Sequence, residues 1–98
     1  MEHLILYFKH DIRAIIPYTD FIFKVRSEII EKQLGEYLGD DMAIDGGDAE
    51  GIFSCPDSRA LFNFIKDDLS KLEFMQGAKV TFVFGEQGVG SPEESFYI

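Results

Sequence analysis

Residues 38–55 carry the pattern that most restricts the fold. Leu38 to Ile44 and Glu50 to Cys55 are two short strand-like runs, with Asp45-Gly46-Gly47-Asp48 between them. Glycine enters the positive φ of a tight hairpin without steric cost, and aspartate tolerates it. The middle of the chain is therefore predicted to be an antiparallel hairpin. Helical periodicity flanks it on both sides. Upstream, Ile22, Val25, Ile29 and Gln33 form a stripe with Ile30 and Leu34 beside it. Thr19 or Asp20 is the predicted N-cap, and Gly35 the predicted stop. The connection Asp11 to Tyr18 contains Pro17 and is expected to stay outside the helix. Downstream, Pro56 opens a second helix, with Leu61, Ile65, Leu69 and Leu72 at spacings of four, four and three.

His3 to Lys9 and Lys79 to Phe84 are short, apolar and rich in β-branched or aromatic residues, so both read as strands. Ser95 to Ile98 is a short final strand, reached through the glycine-rich loop Gly85 to Pro92. The order is β, α, β, β, α, β with one extra strand. That order predicts an α+β fold: a ferredoxin-like split βαβ sandwich, two helices on one face of a mainly antiparallel sheet. Strand alternation assigns Leu4, Leu6, Phe8, Met42, Ile44, Val80, Phe82, Phe84 and Phe96 to the helix side. With 98 residues the chain is read as one domain, 1–98. A core this small must be dense, and ten Phe and four Tyr supply it.

Eighteen acids against nine bases give a net charge of -9. A phosphate backbone or an anionic membrane needs cations facing it, so neither is expected as a partner. No apolar run approaches a membrane span, and no basic start precedes an apolar stretch. With a single cysteine, these features lead to the expectation of a cytoplasmic protein.

Residues 35–62, GEYLGDDMAIDGGDAEGIFSCPDSRALF, and 74–85, FMQGAKVTFVFG, contain Glu-Tyr-x-Gly, Asp-Gly-x-Asp, Pro-Asp and Gly-Ala-x-Val-Thr in that order. In this the chain resembles a group of small bacterial proteins that carry the same motifs and have no established activity. The resemblance implies a ferredoxin-like fold and a bacterial origin, and it assigns no functional residue.

Chemistry-bearing residues are few. Glu36, Asp40, Asp41, Asp45, Asp48, Glu50 and Asp57 fall in a stretch with no Lys or Arg between Gln33 and Ser58. An EF-type loop starting at Asp41 would put Ala43 at position 3 and Ile52 at position 12, where neither offers a side-chain oxygen, so no metal site is predicted. No cofactor is expected either: residues 85–92 lack the lysine of a phosphate loop. Cys55 precedes Pro56 at a strand-to-helix junction, and His3 and His10 are its only conceivable bases. A structural role for this cysteine is the expected one, and no catalytic residue is assigned.

The far side of the sheet is the most informative surface. Alternation sends Ile5, Tyr7, Thr81, Val83 and Tyr97 outward, with Phe53 placed beside them. Such a face is too apolar for a merely wetted sheet. It is predicted to bind a protein partner, most simply a second copy, unless Asp11 to Tyr18 folds over it. The acidic patch Asp40, Asp41, Asp45, Asp48 and Glu50 adds the expectation of a basic partner. The function favoured by the sequence is a non-catalytic interaction module, such as an acidic inhibitor or immunity-type partner of a basic protein. The alternative is a small-ligand-binding or enzymatic ferredoxin-like domain whose site lies at a dimer seam, with Tyr7, Asp45 and Tyr97 as its polar groups.

Overall fold

A computed structural model describes residues 1–10, 15–42, 47–85 and 90–98. The chain forms β1 (Glu2–His10), α1 (Ile15–Glu31), β2 (Glu36–Met42), β3 (Gly47–Cys55), α2 (Ser58–Ser70), a 3-10 turn (Glu73–Met75), β4 (Lys79–Val83) and β5 (Glu93–Tyr97). The fold is α+β: two helices and one five-stranded sheet in the order β2-β3-β1-β4-β5. Every neighbouring pair of strands is antiparallel, consistent with a ferredoxin-like arrangement. No helix among the described residues is long and apolar enough to cross a membrane.

The central strand β1 sets the two sides of the sheet. Leu4, Leu6 and Phe8 are buried, and their cross-strand partners on β3 and β4 are buried with them: Phe53, Gly51 and Ala49 on one side, Phe82 and Val80 on the other. Tyr18, Val25 and Ile29 of α1 and Leu61, Ile65 and Leu69 of α2 belong to the same core cluster. Phe84 and Phe96 pack against it, as does Tyr37, whereas Ile44 lies outside the described residues.

The first helix departs from expectation at both ends. It begins at Ile15, with Pro17 inside its first turn. The N–H that proline lacks has no intrahelical partner there, and its fixed φ already suits a helix. At the other end the stop is Gln33, not Gly35. Gln33 takes φ 58° and donates to the Ile30 carbonyl (3.1 Å), while Leu34 donates to the Ile29 carbonyl (2.8 Å). This pair of bonds is the Schellman closure, made here without a glycine.

The second helix starts later than the expected opening at Pro56: Asp57 is its N-cap and Ser58 its first residue. The Asp57 carboxylate accepts from the Arg59 and Ala60 amides at 3.1 and 3.2 Å. The Glu2 carboxylate of β1 accepts from both the amide and the hydroxyl of Ser58, each at 2.8 Å. Together the two acids satisfy the exposed donors of the first turn and complement the positive end of the helix.

One side chain ties α2 to the outermost strand. The Arg59 guanidinium pairs with Glu94 of β5 and lies 5.3 Å over Phe82 and 5.7 Å over Phe84. Exposed ion pairs and cation–π contacts each contribute below about 1 kcal/mol. Arg59→Ala is therefore expected to cost about 1 kcal/mol in urea denaturation and to speed amide exchange in β5 more than elsewhere.

Candidate functional site

The sheet face opposite the core cluster is assembled from the alternate residues of all five strands. Register places Glu36, Ser54, His3, Val83 and Glu93 in one row across it. Ile52, Ile5, Thr81 and Ser95 form the next row, and Asp41, Glu50, Tyr7, Lys79 and Tyr97 the third. Asp48 and Lys9 are paired beyond them.

Five of the six residues predicted to meet a partner sit on this face: Ile5, Tyr7, Thr81, Val83 and Tyr97. They are not equally available. Tyr97 is 73% exposed and Ile5 and Tyr7 are half-buried, but Thr81 and Val83 are buried within the protomer. Both are short side chains on a strand flanked by β1 and β5, and the Thr81 hydroxyl is bonded to that of Ser95 at 2.9 Å. Phe53, the sixth, is a correction. It pairs with Leu4, is fully buried and packs against the tilted Tyr37 ring, centroids 5.1 Å apart. Register with β1 fixes its side, so Ile52 takes the outward place instead. Tyr18 is buried in the core cluster as part of α1, so the described part of the Asp11 to Tyr18 connection does not cover the open face, and residues 11–14 lie outside the described residues.

The acidic patch is divided by the pleat. Asp41, Asp48 and Glu50 are on the open face, with Asp41 directly opposite Glu50. The Tyr7 hydroxyl bonds to Asp48, and its pKa is pushed above the ordinary value by that bond first, then by desolvation and the charges of Asp48 and Glu50. Asp45 lies outside the described residues, and so does Gly46 of the predicted hairpin turn. Asp40 lies on the other side. It pairs with Gly51, in the same row as Leu6.

There Asp40 ends a hydrogen-bond chain that the sequence does not announce. The Tyr37 hydroxyl donates to Asp40 at 2.9 Å and meets the Tyr18 hydroxyl at 3.0 Å. A phenol has one proton, and that of Tyr37 goes to Asp40, so Tyr18 is the donor between the two tyrosines. Burial first pushes Tyr18 up to about 12. Tyr37 is raised further, again by burial first. Neither phenol is poised for proton transfer near neutrality. A cavity of about 150 Å³ adjoins the chain, lined by Tyr18, Thr19, Ile22, Phe23, Arg26 and Asp40. Local spacing gives no hint of this relay. Tyr18 and Tyr37 are 19 residues apart, and it is the bulge in β2 between Tyr37 and Gly39 that puts Asp40 on the same side as Tyr37.

Cys55 is fully buried, and desolvation, then the charges of Glu2 and Asp57, push its thiol up to about 11. A thiolate at neutral pH is disfavoured there, helix N-terminus notwithstanding. His3 pairs with Ser54 and so faces the opposite side of the sheet, where its Nδ1 donates to the Gly85 carbonyl at 3.0 Å. A second cavity, about 390 Å³, lies against α2 and the 3-10 turn, with Phe62, Leu69, Met75 and Ile98 among its walls.

No protein-family model, no curated protein and no solved structure matches this chain.

Proposed function

We propose that the protein is a non-catalytic interaction module whose open sheet face docks a protein with a cationic surface. In this reading the sheet is the platform of a ferredoxin-like split βαβ sandwich that carries both helices on its other face. The single core cluster shared by the two helices and the Leu4 row supports that arrangement.

The observation that carries the functional reading is the direct opposition of Asp41 and Glu50, with Asp48 bonded to Tyr7 beside them. Like charges directly opposite across a strand pair lower stability. Local conflicts of that kind are kept where binding needs them. A lysine or arginine set between the two carboxylates turns the repulsion into attraction. Ile5, Ile52 and Tyr97 then supply the apolar contact around it. Counting the rows, five carboxylates (Glu36, Asp41, Asp48, Glu50, Glu93) stand against Lys9 and Lys79. Face-to-face packing of two copies would set acid against acid, so a basic partner suits this face better than a second copy. An acidic inhibitor or immunity-type protein of the cytoplasm fits this chemistry, because complementary charge speeds encounter with a basic target.

The test is a titration of the ¹⁵N-labelled protein with a strand-forming peptide of alternating lysine and isoleucine. Shifts are expected at Ile5, Tyr7, Glu50 and Ile52. Binding should weaken about tenfold on Glu50→Lys, a loss of about 1.4 kcal/mol, and fall as salt is raised. Shifts confined to the helices, or affinity unchanged by Glu50→Lys, would overturn the proposal.

A further inference from the structure

The two edges of the sheet are built differently. On the β2 edge the register slips between Tyr37 and Gly39, and two acids, Asp40 and Asp41, follow the bulge. Bulges and charges are the usual ways of blunting an edge against strand addition. The β5 edge also carries two acids, Glu93 and Glu94, but it has no bulge. Its five residues pair with β4 in unbroken register, and no proline lies within Glu93–Tyr97. Among the described residues no strand pairs with its outer side.

The backbone bonds at its ends show which groups that edge presents. Phe84 donates to the Pro92 carbonyl (2.9 Å), Ile98 donates to the Ala78 carbonyl (3.0 Å), and Gly77 donates to the Ile98 carbonyl. Residues 92 and 98 therefore turn their backbone groups toward β4. By alternation, Glu93, Ser95 and Tyr97 turn theirs outward.

We infer that β5 is where two copies of this chain join, edge to edge and antiparallel, about a two-fold axis through Ser95. The strand Glu93-Glu94-Ser95-Phe96-Tyr97 is self-complementary in that register. Glu93 falls opposite Tyr97 of the second copy, Glu94 opposite Phe96, and Ser95 opposite Ser95. Each glutamate of one strand thus meets an aromatic ring of the other, and the outward-turned backbone groups of Glu93, Ser95 and Tyr97 find partners. A slip of the axis to Glu94 would set Glu94 against Glu94. On the helix side, Arg59 already neutralises Glu94 and stays beside it in the pair. The axis of such a pair is normal to the sheet, so both open faces lie on the same side. The inference is independent of which partner the open face binds.

Sedimentation equilibrium from about 5 μM to about 1 mM, read with amide exchange, tests it. The expected species has twice the 11.2 kDa chain mass. In it the Glu93, Ser95 and Tyr97 amides gain protection as concentration rises, while Glu94 and Phe96 are protected at every concentration. Tyr97→Glu places like charges opposite each other twice and should weaken the pair about tenfold. Adding Glu93→Lys to that variant restores an opposite-charge contact and should return affinity to within about threefold of the original. A monomer throughout the range, or a dimer in which the three outward amides exchange as they do on dilution, would overturn the inference. So would failure of Glu93→Lys to rescue.

Discussion

Gly51→Ala is expected to destabilise the protein by about 2–4 kcal/mol, although it adds a single methyl group. A Cβ at residue 51 would lie 2.3 Å from the Tyr18 hydroxyl oxygen. That oxygen cannot swing aside. It terminates a rigid ring that is 1% exposed and packs at 5.1 Å on Phe8 and 6.5 Å on Phe74. Any displacement also breaks the bond to Tyr37 and so loosens Asp40 at the end of the chain. Overpacking costs about 1–3 kcal/mol and a lost buried hydrogen bond about 1. Urea denaturation should show the midpoint falling accordingly. The control is specific: Tyr18→Phe alone costs about 1 kcal/mol, but combined with Gly51→Ala it should recover part of the loss by vacating the contested space. A double variant no more stable than Gly51→Ala would mean that the hydroxyl is not the obstacle.

The second large effect is alkaline. Cys55 is held up to about 11 and Tyr18 up to about 12, from ordinary values of 9.0 and 10.0. Both acids are harder to ionise in the folded chain than in the unfolded one. Their contribution to stability is therefore complete below pH 9.0, where both states keep their protons. It is lost as pH rises through the ordinary values toward the folded ones, because unfolding then releases protons. Each pKa unit corresponds to about 1.4 kcal/mol, so the two fully buried groups together should remove about 3–6 kcal/mol between pH 9 and 12. Unfolding free energies at pH 8, 10 and 11.5 would check the slope. Cys55→Ala should delay the onset, whereas Tyr18→Phe should spare the upper part of the fall. A flat profile in the unsubstituted protein would contradict the burial of these groups.

The legible part of the fold was the part governed by strict alternation. In β1, Leu4, Leu6 and Phe8 alternate cleanly with Ile5 and Tyr7, and in β4 Val80 and Phe82 alternate with Thr81 and Val83, so their sides follow directly. The helical period likewise made Ile22, Val25 and Ile29 of α1 and Leu61, Ile65 and Leu69 of α2 legible, whereas Ile30 is exposed and Gln33 and Leu72 lie past the helix ends. The run Gly51-Ile52-Phe53 is different, since two large apolar residues stand next to each other and either could face the core. What decides between them is long-range: Gly51 makes room for Tyr18, and Phe53 must then share the inner side with Leu4. In β2 the bulge defeats alternation outright. Tyr37 and Met42 are an odd number of residues apart, yet they pair with Phe53 and Ala49, which alternation along β3 puts on one side. The Tyr18–Tyr37–Asp40 relay depends on that irregularity, which explains why composition and spacing left it hidden. Pro17 misleads for a simpler reason: proline breaks helices everywhere except in the first turn, and the first turn is where it stands.

The bulge in β2 also governs how far association can proceed. In the language of polymerisation, a sheet with two receptive edges is a bifunctional monomer, and head-to-tail growth from it is open-ended. Irregular pairing at Tyr37/Gly39 removes one of the two functional groups. What is left is monofunctional: joining through β5 consumes the reactive edge of each copy, and both ends of the product are terminated by β2. Growth stops at two chains, and the residue that enforces the termination is not at the junction but at the opposite margin of the sheet.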